Sequence, residues 1–231
     1  KDGSFMKIKT VALFWPMWGR ITDPKHVDGL AMHLNDTNSF NRPHRVPTTA
    51  ADEPTYVETG GYWRGSIWAP TNHMIVKGLQ ANNRHKLARD IALNHLNNMS
   101  AVFSGTDTVW ENYAPEFTKP GQPSKHDFVG WTGDGPIAQL IENYIGINLN
   151  VPENTIDWNL LTTEKVGLKN LKFGDSMMKL IAEERDKQDD PIEINVDSET
   201  SFTLRLFDGN KTHEKKVPQG KNKITINPEN G

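Results

Sequence analysis

Cysteine is absent from the 231 residues, which excludes disulfides, thiolate metal sites and a cysteine nucleophile. No run of about 18 apolar residues occurs, and no charged segment followed by an apolar core opens the chain, so no membrane span or signal peptide is expected. Lys1-Asp2-Gly3-Ser4 passes almost at once into helical periodicity, so the chain reads as the continuation of something longer. The compartment stays open on this reading, with a periplasmic or secreted location as the working expectation. An excess of one charge is also missing. Twenty-six Lys and Arg face 29 Asp and Glu, for a net charge of −3, and no basic block is present, which argues against a nucleic-acid partner. The histidines form no HExxH or other close ligand pair, and no GxSxG elbow, phosphate loop or dinucleotide fingerprint appears. Neither a metal nor a cofactor is expected.

What is present is ordinary globular composition, 35% hydrophobic and 24% charged, enough for a packed core and for one domain of about 150 residues with a smaller one beside it. Ile8, Val11, Ala12 and Trp15 recur at helical spacing until Pro16. Asp23 reads as an N-cap with Pro24 at the first helical position, ahead of Val27, Leu30, Ala31 and Leu34. A third helix is predicted near Pro70, through Met74, Ile75, Gly78 and Leu79, and a fourth from His85 to Met99. Ile137, Leu140, Ile141, Tyr144 and Ile145 give the strongest helical pattern, with Gly133 or Asp134 as cap and Pro136 in the first turn. From about Val151 the period changes to two. Ile192, Ile194 and Val196 alternate with polar residues, as do Phe202, Leu204 and Leu206, and Asp208-Gly209 marks a hairpin. The expectation is a mainly α fold over residues 1–150, followed by a small antiparallel β-domain over 151–231.

Three constellations carry chemistry. In GGYWRGSIWAPTNHMIVKGL, residues 60–79, Tyr62, Trp63 and Trp68 surround Arg64 just before a helix. Indole faces stack on the C–H face of a pyranose, and a guanidinium fork supplies fixed donors to its hydroxyls. The same residues would serve equally to pack a helix start. In TVWENYAPE, residues 108–116, Glu111 stands between Trp110 and Tyr113. A carboxylate walled by rings loses hydration, a condition that suits proton transfer, although a loop glutamate is also commonly a solvated one. Glu116, flanked only by Pro115 and Phe117, reads as an exposed loop acid. In DFVGWTGDGPIAQLIE, residues 127–142, Trp131 is either a sugar platform or a staple on the helix start, and Asp134 reads as a cap.

Taken in order, FWPMWGRIT, YWRGSIWAPTNHMIVKGL, WENYAPE and DFVGWTGDGPIAQLIE resemble the catalytic domain of family 63 glycoside hydrolases, a group of α-glucosidases and mannosylglycerate or glucosylglycerate hydrolases more distantly similar to family 37 trehalases. The segment PENTIDWNLLTTEKVGLKNLKFG resembles the β-segment that trails the barrel in bacterial members. The resemblance implies part of an (α/α)6 toroid and an inverting α-glucosidase-like enzyme. It makes Glu111 the general base, with Trp15, Trp63, Arg64, Trp68, Tyr113 and Trp131 on the sugar. The implied partner is an oligosaccharide or small α-glycoside. Inversion also needs an acid, about 6.5–9.5 Å from the base. In the family that acid is an aspartate of a Trp-Asp segment upstream of the FWPMW motif. No such segment occurs here, and Asp2, Asp23, Asp28 and Asp52 lack its context. A missing N-terminal half of the same enzyme is therefore the expected partner. The alternative is a non-catalytic carbohydrate-binding or partner-docking module. A lyase or epimerase on a similar toroid would need Tyr, His and Arg around an acidic sugar, which WENYAP does not match.

Overall fold

The computed structural model describes residue 3 and residues 7–228, with only the backbone described at Asp134; Asp2 lies outside the described residues. The chain divides into two compact units, Lys1–Gln139 and Leu140–Gly231.

In the first unit Thr10 bridges Thr49 and leads into a 3₁₀ turn, Val11–Phe14, and the short helix α1, Trp15–Trp18. Residues 7–9 are not helical, and Pro16 opens α1 rather than interrupting a longer helix. In a first turn the missing N–H costs nothing, because it would have no intrahelical partner anyway. Helix α2, Pro24–Asn35, starts as expected, with Asp23 accepting a hydrogen bond from the Lys25 amide at 3.0 Å. Helices α3, Ala69–Ala81, and α4, His85–Thr106, follow. Phe14, Met17, Leu34, Phe40, Ile75, Leu79 and Ile91 are fully buried in one cluster.

Helix α5 spans Gly130–Gln139, with Pro136 inside it, and continues as a π-helical turn, Leu140–Ile145. The helix thus begins before Gly133 and Asp134, the residues expected to cap it. Ile137 and Leu140, expected on the buried stripe, are 62% and 47% exposed. Gly135 and Gln139 are buried instead. Gly135 lies so close to α3 that a Cβ there would sit 3.1 Å from the Ala69 Cβ. Close backbone packing, rather than apolar periodicity, chose the face of α5.

The second unit is a two-sheet sandwich. One sheet has the order β1-β2-β6-β7, from Ile147–Asn150, Thr155–Asn159, Phe202–Phe207 and Thr212–Val217. The other is β3-β4-β5-β8, from Val166–Phe173, Ser176–Ala182, Ile192–Ser198 and Gly220–Ile226. Ile156, Trp158, Leu204 and Leu206 of the first sheet and Leu180, Ala182, Ile194 and Val196 of the second fill one core. The alternation read in β5 and β6 is the alternation of burial. Asp208 closes the β6–β7 hairpin, its carboxylate accepting from the Asn210 and Lys211 amides at 2.8 and 2.9 Å. The pairing is not wholly antiparallel, since β2 runs parallel to β6. Strand pairing begins at Ile147, so the expected boundary at 150/151 falls at the β1–β2 turn. Among the described residues five helices are followed by eight strands, so a mainly α description fits the first unit alone.

Candidate active site

The YWRG segment turns sharply. Gly60 has φ +110°, and a Cβ there would lie 2.4 Å from the Ser66 hydroxyl, so only glycine fits. The turn is pinned from beneath: the Val57 amide donates to Arg64 O at 2.8 Å, the Thr49 hydroxyl to Trp63 O at 3.1 Å, and the Gly65 amide to the Thr48 hydroxyl at 3.1 Å. Beside it runs the WENYAP segment. Tyr113 exchanges backbone hydrogen bonds with Ile67 at 2.9 and 3.0 Å, and the Glu111 amide donates to Lys125 O at 2.9 Å.

These pairings build an aromatic terrace. Trp68, 1% exposed, is its floor, with its indole N–H donating to Tyr62 O at 3.3 Å. Trp63 stacks on Trp68 at 4.5 Å and 3°, Tyr62 meets it edge-on at 4.8 Å, and Trp131 leans on it at 6.1 Å and 52°. Phe128 backs Trp131 at 5.1 Å. The upper surfaces are open: Trp63 is 54% and Trp131 47% exposed. Glu111 is buried, and the Tyr62 hydroxyl donates to its Oε1 at 3.2 Å. Partial desolvation, then this bond and the charge of Glu111, hold the Tyr62 phenol above its ordinary pKa.

Of the residues expected on the sugar, Trp63, Trp68 and Trp131 come together through ring contacts. Arg64 is exposed beside Trp63, and among the described residues its guanidinium has no hydrogen-bond or ion-pair partner. Trp68 is too buried to touch a ligand with more than an edge. Tyr113 lies in a core cluster with Ile67, Met99 and Val102, its hydroxyl accepting from the Trp110 amide at 3.2 Å, so it supports the segment from inside. Trp15 stands half-exposed on α1, and among the described residues no ring contact joins it to the terrace. Tyr62, read in the sequence only as an aromatic flank, is the side-chain donor to Glu111. The sequence signal that marks it is a hydroxyl-bearing ring directly after a glycine turn.

Two further networks lie behind the site. Glu116, expected to be exposed, accepts from Arg42 Nε and Nη2 at 2.6 and 3.0 Å and from the Tyr56 hydroxyl at 2.5 Å. Burial would raise its carboxyl, but these bonds and the Arg42 charge outweigh it and hold the group below its ordinary value. His44 Nε2 and His95 Nδ1 are 2.8 Å apart in the interior, with both rings against Tyr113, and the His44 amide donates to Pro115 O at 2.9 Å. Desolvation lowers both imidazoles, His95 to about 4. Among the described residues no group of three His, Cys, Asp or Glu is arranged to hold a metal ion, and no helix is long and apolar enough to cross a membrane.

The family described as the mannosylglycerate hydrolase MGH1-like glycoside hydrolase domain matches residues 1–132. This chain belongs to that family. The match takes in the segments holding Trp63, Arg64, Glu111 and Trp131, and the family 63 resemblance of the four motifs stands. Similar curated proteins include an uncharacterized protein of Borreliella burgdorferi, 26% identical over 226 residues, covering 93% of this chain and 47% of that protein. A probable mannosyl-oligosaccharide glucosidase of Schizosaccharomyces pombe is 32% identical over 121 residues, 48% of this chain and 15% of that one. A trehalase of Oryctolagus cuniculus is 26% identical over 137 residues, 56% and 22%. The chain thus spans less than half the length of each of these relatives. An uncharacterized conserved protein from Thermus thermophilus shares the fold over 60% of this chain and 33% of its own, with a TM-score of 0.51 and 20% identity.

If Trp63 is a sugar platform in the complete enzyme, removal of its exposed indole acts on binding alone. Trp63→Ala is expected to raise KM for a glycoside about tenfold, the scale of one lost stacking surface, with kcat nearly unchanged. A fall in kcat at constant KM would show that Trp63 does not form a sugar platform.

Proposed function

We propose that the chain is the C-terminal share of an inverting glycoside hydrolase acting on an α-glucoside or a related α-glycoside. The observation that carries this reading is the buried carboxylate of Glu111, held at 3.2 Å by the hydroxyl of Tyr62, whose ring meets Trp63 and Trp68 edge-on. The pyranose lies on Trp63 and Trp131, and Arg64 donates to its hydroxyls. Glu111 takes a proton from one water, which attacks the anomeric carbon from the face opposite the leaving oxygen. A carboxylic acid on that other face, about 6.5–9.5 Å away, protonates the leaving oxygen. We assign that acid to the part of the relatives' length that this chain does not span. There the remaining helices complete an (α/α)6 toroid, with residues up to about 150 as catalytic domain and the β-sandwich as appendage. The test is the product anomer. Fresh hydrolysis of an α-glucoside by the complete enzyme, followed by proton NMR, should show the β-anomer first, and residues 1–231 alone should release no sugar. Initial appearance of the α-anomer would reject inversion; full activity of residues 1–231 would move the acid into this chain.

The open faces of Trp63 and Trp131 would also serve a carbohydrate-binding module without catalysis. Sugar binding by an enzyme that hydrolyses no α-glycoside would favour that reading.

A further inference from the structure

We infer that Glu116 and Tyr56 position the Trp63–Arg64 turn against the Glu111 segment, so that Glu116 governs sugar binding without touching the sugar. The inference rests on the reading of Trp63 and Arg64 as sugar contacts. Arg64 has no side-chain partner among the described residues, so what the fold holds of it is the backbone from which the side chain departs. That backbone rests on Tyr56. Gly65 has φ +152°, and a Cβ there would lie 2.7 Å from Val57 O and 3.1 Å from the Tyr56 ring. Val57 O leaves room for glycine alone, and the phenol ring packs closely against the same point of the turn. The next residue, Val57, holds Arg64 O directly through its amide.

The phenol is in turn anchored outside its own loop. Its hydroxyl donates to Glu116 Oε1 at 2.5 Å, and Glu116 is five residues along the chain from Glu111 on the segment paired to Ile67. Glu116 is itself immobilised. Arg42 grips it in two-point fashion, and Arg42 Nη1 donates to Thr37 O. An arginine and a carboxylate already satisfy one another in this geometry, so the third donor, Tyr56, is what ties the pair to the sugar-facing turn. The link runs Arg42, Glu116, Tyr56, Gly65, Arg64. A purely structural ion pair would affect folding alone; this link makes it affect binding geometry as well.

The experiment compares Tyr56→Phe, Glu116→Gln and the double variant in the complete enzyme, with Glu111→Gln alongside. Tyr56→Phe keeps the ring and the Arg42–Glu116 pair and removes only the hydroxyl. It should raise KM about tenfold with kcat within about twofold, as expected for loss of uniform binding. The double variant should raise KM no further than the larger single effect, because both act through one link. An unchanged KM in Tyr56→Phe, or KM effects that multiply, would overturn the inference. If Glu116→Gln does not fold, Tyr56→Phe alone decides. Calorimetric titration with methyl α-glucoside reads the same loss as a dissociation constant, independently of turnover. Full turnover in Glu111→Gln would instead remove the reading of the base, leaving the Tyr56 result to stand or fall by itself.

Discussion

Glu111→Gln in the complete enzyme is expected to lower kcat by about three orders of magnitude, toward the upper range for loss of a general base, with KM changed little. Glutamine keeps a carbonyl to accept the Tyr62 hydroxyl, and its volume is nearly that of glutamate, so the terrace of Trp63, Trp68 and Trp131 stays in place. What disappears, on the proposed function, is the group that accepts the proton of the attacking water. Thermal unfolding should move by no more than a few degrees. A variant with turnover near that of the parent would end the assignment, whereas a large loss of Tm would mean that the charge serves folding.

Acid should destabilise the helical unit well before its carboxylates titrate. His44 and His95 share one short contact of 2.8 Å in the interior, and His95 Nε2 is buried without a partner among the described residues. A proton on either ring would need hydration that this site does not offer, so both stay neutral in the fold, with His95 lowered to about 4. The unfolded chain binds these protons near pH 6.5. Because the folded values are depressed, the stability is fully present above about 6.5. It falls as the pH drops and is lost by the time the folded value is passed. For His95 alone the loss is about 3 kcal/mol. The carboxylate of Glu116, also held below its ordinary value, loses its contribution only below about pH 4.5. The Tm of the helical unit, followed by circular dichroism from pH 7.5 to 4.5, should therefore decline from about 6.5 downward. A Tm that stays flat to 4.5 would show that the pair becomes protonated without cost.

The amino-acid sequence determined by itself those features whose causes lie within a few residues. Asp23 and Pro24 start a helix because the cap bond and the proline ring act inside one turn. The alternation of Ile192, Ile194 and Val196 sorts one side of a strand into the core, and Asp208 folds a hairpin with its own carboxylate. The candidate site was legible for the same reason, since Trp63, Arg64, Glu111 and Trp131 lie in compact segments of unusual composition. Tertiary structure decided what depends on partners distant in the chain. Glu116 is an ion-paired group rather than a loop acid because Arg42, 74 residues away, meets it. Tyr113 is core rather than sugar wall because His44 and His95 converge on it. The buried face of α5 was set by close backbone packing of Gly135 on Ala69, which hydrophobic periodicity does not encode. The parallel pairing of β2 with β6 likewise joins strands far apart in the chain, since hydrogen-bond register between distant strands follows from burial on both sheets and not from any local residue.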